Sequence, residues 1–409
     1  MDKKVNEINV LCIGAGIEQI PVIEIAQKMG LKVTAVDENS KAGGLQIADR
    51  GMVMDLRNTA KAIALARELN IRCVLPVPLG AILTTVGAVN DALGLKGISE
   101  AAAKLCTDKL LTRKVLAEGG LATPEFAEAT DEESLLKAAE KIGYPVVAKP
   151  RYGSGSQGVF VARDKAEFLR WLPWHLQQRQ KYKESGKSLV EKCIQGLEVG
   201  VDSVVVNNYH SLIVIRDKEI TELPFRLGKG LLSPSILPSL TQQKIAETLS
   251  KACSILGFKN CLVNADIIVD RSGEPIVIEI TGRPAGFNIL AKMIPAVIGV
   301  SPILELINFS LGYEANFEPI HRRGAVLRML SAARGRFLAV EGIEEVRQMP
   351  GVVDVESFLE PGEIIEESRT GATGYRVGYL LTCGETRDEA DLIWHKTANK
   401  IHFHMEKNQ

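Results

Sequence analysis

The sequence predicts a multidomain protein, α/β in its first part and α+β in its last, and three observations carry that prediction. The first hundred residues alternate strand-like and helix-like stretches. Residues 261–288 read as an antiparallel hairpin with acids on one face. From His321 onward short strands and Gly/Pro turns take over. At 409 residues the chain exceeds one ordinary core. The expected units are an N-terminal domain with a doubly wound parallel sheet (1–105), two central subdomains with mixed and antiparallel sheets (106–187 and 188–320), and a C-terminal α+β domain (321–409) capping the site.

Composition narrows the function classes. A net charge of −1, with 24% charged and 46% hydrophobic residues, describes a soluble globular protein without a charge bias toward nucleic acid or membrane. The first apolar run is too short for a signal peptide, and charges, Pro or Gly interrupt every later one, so a cytoplasmic protein is expected. Cys12, Cys73, Cys106, Cys193, Cys253, Cys261 and Cys383 show no CxxC spacing and read as reduced core residues. No HExxH pattern occurs, and the alternation of His402 and His404 marks one face of a terminal strand rather than a metal site.

The N-terminal pattern runs strand Val5–Ile13, helix Ile20–Met29, strand Lys32–Asp37, helix Thr59–Leu69, strand Cys73–Val77 and helix Ile82–Leu93. Gly14-Ala15-Gly16, with Asp37 downstream, suggests a dinucleotide fold, but Gln19 stands where its third glycine belongs. The lone GxG therefore supports a strand-to-helix turn, and a nicotinamide-dependent oxidoreductase rests on nothing else.

A helical pattern fills Ser99–Glu118, carrying Asp108, Lys109, Arg113 and Lys114. Strand Phe126–Ala129 and helix Glu132–Lys141 follow. Then come Lys149 and a loop, Gly153-Ser154-Gly155-Ser156-Gln157-Gly158, leading into strand Val159–Ala162. A Walker loop ends in its lysine and opens a helix; here the lysine precedes the loop and a strand follows. Backbone N–H groups of a Gly/Ser hairpin can still wrap a polyphosphate, with Lys149 reaching in beside them. A lysine set between valines and prolines favours that over a bare hairpin tip.

Glu167–Ser188 is polar, with Trp171 and Trp174 read as packing anchors. Ser188–Ile194 is a strand and Gly196 starts another. Glu191 and Glu198, among apolar neighbours, are either strand-edge acids or acceptors for an adenine amino group and ribose hydroxyls. Pro224–Ser239, with three prolines, Arg226 and Lys229, is a substrate-facing loop or a crossing connection. Helix 241–256 leads into the hairpin.

In that hairpin the runs Cys261–Val269 and Pro275–Ile280 flank a turn centred on Ser272-Gly273. Symmetric closure sets Asp266 opposite Glu279 and Asn264 opposite Thr281, with Ile276, Ile278 and Ile280 on the other face. Two acids directly opposite repel, so a cation should lie between them. Carboxylates suit a hard divalent ion, and Mg²⁺ shares its sphere with water and phosphates. Arg283 can hold a carboxylate or an oxyanion beside it. A surface hairpin with two solvated acids is the competing reading.

Ile289–Leu311 is helical, broken near Pro295–Pro302. Strands Ala325–Leu330, Phe337–Val340, Val352–Phe358, Ile364–Glu367 and Val377–Cys383, then helix Thr386–Ile401, make up the C-terminal unit.

The ordered set Lys109, Lys149 before a glycine hairpin, Glu191, Glu198, Asp266, Glu279 and Arg283 resembles the ATP-grasp ligases over roughly residues 8–320. FLAVEGIEEVRQMPGVVDV and RVGYLLTCGETRDEA resemble the L-amino acid ligase and related carboxylate–amine ligase branch. The resemblance implies ATP-grasp small and large subdomains at 106–187 and 188–320 behind a pre-ATP-grasp domain. It implies ATP phosphates on Lys109, Lys149 and the loop Gly153, Ser154, Gly155, Ser156 and Gly158. Glu191 would take the adenine amino group, the backbone of Lys192, Cys193 and Ile194 the ring edge, and Glu198 the ribose. Asp266, Glu279 and Thr281 would ligate two Mg²⁺ ions, or Mn²⁺ in their place, and Arg283 would orient the carboxylate under attack, making Arg283 and Lys149 catalytic. Small-molecule carboxylate and amine partners and a homodimer are implied, with no nucleic acid or membrane partner.

Two residues depart from the family pattern. Thr281 stands where Asn is frequent, and Asn264 where the D-alanine ligases have Arg. They motivate two alternatives, a nucleotide-binding regulatory or structural protein and a substrate pocket built differently; a bicarbonate-dependent carboxylase is the variant with the same chemistry.

Overall fold

The computed structural model describes residues 7–180, 186–366 and 377–406. Val5, Asn6 and Glu367, placed above in strands, and part of the polar stretch before Ser188 lie outside the described residues. The N-terminal sheet is parallel: β1 (Asn9–Ile13), β2 (Lys32–Asp37), β3 (Arg50–Val53) and β4 (Cys73–Val74) lie in the order β3-β2-β1-β4. Order reverses at β1, as a doubly wound sheet requires. Short helix Gly43–Ile47 and β3 escaped the sequence pattern, since β3 is largely exposed and lacks alternation.

The turn after β1 explains why no dinucleotide site is needed there. Gly14 has φ +90°, which a side chain would resist. Asp37 accepts from Ala15 N at 2.7 Å, and buried Gln19 donates Nε2 to Pro78 O at 2.6 Å. Acid and glutamine both brace the turn itself.

The small central sheet joins β5 (Phe126–Ala129), β6 (Val146–Pro150), β7 (Phe160–Ala162) and β8 (Ser188–Lys192) in the order β5-β8-β6-β7. Helices Glu132–Ile142 and Lys165–Arg179 cover one face, packing Leu135, Phe168 and Leu172 onto Phe160 and Val190. The second helix takes up the first part of the stretch read above only as polar. Trp171 and Trp174 lie 4.8 and 4.9 Å, centroid to centroid, from Phe225, as packing anchors do.

The large antiparallel sheet begins with β9 (Gly196–Val206), β10 (Tyr209–Ile220), β11 (Gly228–Ser233), β12 (Cys261–Asp270) and β13 (Pro275–Thr281). The C-terminal part adds β14 (Gly324–Met329), β15 (Gly335–Glu341), β16 (Val352–Ser357), β17 (Ile364–Ile365), β18 (Gly378–Gly384) and β19 (His402–Glu406). Three of these extend the large sheet, giving β13-β12-β9-β10-β11-β14-β18-β16, while β17-β15-β19 form a small sheet apart. β10 occupies a segment given no element above, and β11 lies within the stretch read as a substrate-facing loop or crossing connection. The sheet also crosses residue 320, so the C-terminal unit is not set off from the central one. The edge of β11 turned away from β10 is covered by β14, which satisfies its peptide groups from Gly230 to Ser233.

Under β12, Val263, Ala265 and Ile267 meet Ile245, Leu249 and Ala252 of helix Ser239–Ile255. Each large side chain so buried contributes about 1.5–3 kcal/mol. All seven cysteines stand free, five of them buried. His402 and His404 share an exposed face of β19. Among the described residues no single helix is long and apolar enough to cross a membrane; the bent pair Ile289–Ile298 and Pro302–Leu311 has the length and composition, but its apolar residues sit in the core.

Candidate functional site

A cleft of about 290 Å³ opens between the small sheet and the β9–β12–β13 part of the large one. The cleft face of β12 carries Asn264, Asp266 and Ile268, two residues apart. Across the ladder Asp266 pairs with Glu279 and Asn264 with Thr281, the register expected from the turn. The ladder then slips: Ile267 pairs with Val277, leaving Ile278 as a β-bulge. The slip brings Ile278 onto the cleft side next to Glu279, where simple alternation placed it on the opposite face.

Arg113, 2% exposed, occupies the other side of that bulge. It donates Nη1 to Val277 O at 2.9 Å, Nη2 to Ile278 O, and Nε to Glu191 at 2.5 Å. A bulge frees carbonyls from the ladder, and a buried guanidinium needs acceptors; each satisfies the other. Lys149 Nζ reaches the second oxygen of Glu191 at 2.5 Å. Burial alone would raise the Glu191 carboxyl, but Arg113 and Lys149 hold it down to about 2. Each of its oxygens thus faces a cation in the wall of the cleft. The cleft lining keeps the segment Glu191–Ile194, with Lys192 Nζ turned to Gly143 O at 2.7 Å.

Burial pushes the Lys149 ammonium down to about 8, opposed by Glu191 and reinforced by Arg113 and Lys109. Lys109 begins helix Lys109–Glu118, distinct from helix Glu100–Thr107 where one helix was expected. Asp108 makes the break: it caps Leu110 N at 3.1 Å and takes Arg151 and Tyr152 from beside the glycine loop. Lys109 Nζ donates to Gly153 O at 2.5 Å and lies 3.9 Å from Glu279.

Lys218 was missed, because β10 was not foreseen. Its Nζ bridges Glu198 at 2.5 Å and Asp266 at 2.9 Å, and Arg226 adds a 2.7 Å bond to Glu198. Glu198, expected on a ribose, is thus paired twice; burial opposes its ionisation, and Lys218 and Arg226 hold its pKa below the usual range. Asp266 moves the other way. Burial raises it, Lys218 opposes, and Glu198 and Glu279 raise it further. For Glu279 burial is outweighed by Lys109, Lys149, Arg283 and Lys218, and its pKa falls.

Loop residues Gly153 to Ser156 line the cleft; Gly158 does not. Its carbonyl accepts from His175 Nδ1 at 2.6 Å. A carbonyl cannot donate, so Nδ1 carries the proton and Nε2 accepts from the Ser188 hydroxyl at 2.8 Å. Burial drives the His175 pKa down to about 4, so the ring is neutral. Cys193, Ile194, Thr281 and Arg283 also line the cleft. Thr281 Oγ1 donates to Asn264 O at 3.4 Å; Arg283 Nη1 donates to Pro284 O at 2.8 Å, and its buried Nε has no partner. Among the described residues, none beyond Arg283 lines the cleft.

Asp266 and Glu279 keep 33% and 41% side-chain exposure into the cleft, and no group of three or more metal-type side chains occurs among the described residues. Two carboxylates with open space fit a hard divalent ion that completes its shell with phosphate oxygens and water.

Residues 142–291 match the ATP-grasp domain family and residues 328–406 match L-amino acid ligase C-terminal domain 2. An uncharacterized protein of Sinorhizobium fredii is 29% identical over 322 residues, 78% of this chain and 65% of that protein, so the chain spans just under two thirds of that relative. The L-arginine-specific L-amino acid ligase of Bacillus subtilis is 23% identical over 329 residues, 79% of this chain and 78% of the ligase. In structure, the L-amino acid ligase from Bacillus licheniformis superposes with TM-score 0.83 and 22% identity, covering 99% of this chain and all of that one, and phosphoribosylglycinamide synthetase from Anaerococcus prevotii with TM-score 0.74 and 19% identity, covering 98% of this chain and all of that one.

Proposed function

We propose, for a chain that carries an ATP-grasp domain followed by an L-amino acid ligase C-terminal domain, the ATP-dependent joining of a carboxylate, an amino acid by family likeness, to an amine. The observation that supports it most is the pairing of Asp266 with Glu279 in a cleft whose facing wall supplies Lys109 and Lys149. Asp266 and Glu279, with Thr281 beside them, would hold Mg²⁺, which when bound would supply positive charge against the phosphates.

The lysines would hold the β- and γ-phosphates while Arg283 aligns the substrate carboxylate. A carboxylate oxygen attacks the γ-phosphorus, the bond to the β-phosphate oxygen breaks, and ADP leaves. Amine nitrogen then attacks the acyl carbon, the carbon–oxygen bond to phosphate breaks, and amide and phosphate depart with the amine proton released. The loop Gly153–Gly158 would shield the acyl phosphate from water. The same reading assigns the adenine edge to the backbone of Glu191–Ile194.

The test is ADP release over a panel of amino acid pairs. Release that requires both an acid and an amine, with an equimolar amide product, supports the ligase; nucleotide binding without product from any pair would sink it.

A further inference from the structure

A second cavity, of about 330 Å³, lies where the large sheet parts. β10 pairs with β9 from Tyr209 to Asp217, but with β11 only from Asp217 to Ile220. β11 leaves at Ser233 and pairs onward with β14. From Leu212 to Arg216, therefore, the edge of β10 turned away from β9 has no strand beside it among the described residues. An antiparallel edge offers a peptide N–H and C=O at every second position; a bulge at Ile213 interrupts that spacing once, so these five residues, roughly 17 Å long, form a short, kinked and unused template. The cavity takes in this edge, with buried Ile213, Val214, Ile215, Val297 and Ile298 as its apolar wall.

The mouth is cationic. Arg322, Arg323 and Arg387 line it. Arg387 is drawn to Asp217, and Arg323 shares an exposed pair with Glu385 at 2.9 Å; Arg322 has no ion pair among the described residues. Three guanidinium groups thus meet two carboxylates. Ser233, fully buried on the same wall, has a hydroxyl without a hydrogen-bond partner. An open strand edge, an apolar wall, one uncompensated guanidinium and an unused hydroxyl ask for a ligand that is extended, amide-bearing and anionic at one end.

We propose that this gap is a ligand site separate from the Asp266–Glu279 cleft, and that it takes a short peptide with a free C-terminal carboxylate. The peptide main chain adds to the β10 edge at 212–216 and its carboxylate meets Arg322 and Arg323. The proposal does not depend on the ligase reading, because binding here needs no nucleotide.

The probe is Ala-Val-Ala as the free acid, compared with its C-terminal amide and with hexanoate, titrated calorimetrically into the whole protein without nucleotide. Hydrogen exchange at 212–216 is followed in parallel. Expected are saturable binding of the acid, about tenfold weaker binding of the amide, and slowed exchange at 212–216. The double variant R322S/R323S, altered only at exposed side chains, loses the preference for acid over amide, while Arg283→Ala retains it. Absence of saturable binding, equal binding of hexanoate, unchanged exchange at 212–216, or loss of binding in Arg283→Ala overturns the site.

Discussion

Asp266 and Glu279 stand opposite each other at the last register position before the β12–β13 ladder slips, and the slip is filled from behind by Arg113. The acids in front and the guanidinium behind share a single irregularity of the backbone.

Arg113→Met should be among the most damaging single changes. It leaves Glu191 buried with one cation and uncovers two carbonyls, so a loss of about 3–5 kcal/mol is expected. Arg113→Lys should recover little, because one ammonium cannot serve three acceptors in that fork. Urea unfolding of both variants checks this; a loss below about 1 kcal/mol would separate Arg113 from the bulge.

Glu279→Ala should behave in the opposite way. It relieves the repulsion with Asp266, so stability stays within about 1 kcal/mol of the parent, whereas divalent-ion-dependent ADP release disappears. Activity that survives the substitution would detach Glu279 from the metal.

The Lys149 ammonium, brought down to about 8, makes nucleotide affinity sensitive to alkali. A bound phosphate favours the charged form, so above pH 8 binding must take up a proton and weakens as pH rises. Affinity should be level from pH 6.5 to 7.5 and decline beyond 8. In Lys149→Ala it should be weaker throughout and lack this decline. Equilibrium binding of an ATP analogue across pH 6.5–9.5 gives the comparison.

His175 sets an acid limit. Its pKa is about 4 in the folded chain, against an ordinary 6.5. Between those values the unfolded chain holds the proton and the folded one does not. The stability linked to it is fully present above 6.5 and is lost as pH falls toward 4, up to about 3 kcal/mol. His175→Asn keeps a donor toward Gly158 and should lessen the slope of unfolding free energy between pH 4.5 and 6.5, leaving the share of His210, which burial also lowers to about 4. An unchanged slope there would contradict a neutral buried ring.

The sequence was most legible where interactions are local. Register across β12 and β13 follows from the turn at Ser272-Gly273, so both acids and their partners could be placed in advance. The slip at Ile278 could not, because its compensation comes from Arg113, far away in the chain. β10 was hidden for the same reason. Its run Arg216-Asp217-Lys218-Glu219 has no period-two pattern, since each charge answers a partner on another element: Asp202, Arg387, Glu198 with Asp266, and Arg328. Nothing near Glu191 in sequence reveals that Arg113 and Lys149 stand on either side of it.

The continuous sheet across residue 320 bears on how such a protein can be cut or recombined. A truncation there would strip β14 from Gly230–Ser233 and take Arg328 and Arg387 away from Glu219 and Asp217. The stump would present raw backbone flanked by two abandoned acids. The final quarter of the chain is thus no interchangeable cassette: a chimera spliced at this seam inherits a sticky rim unless its donor also brings a matching strand and both arginines.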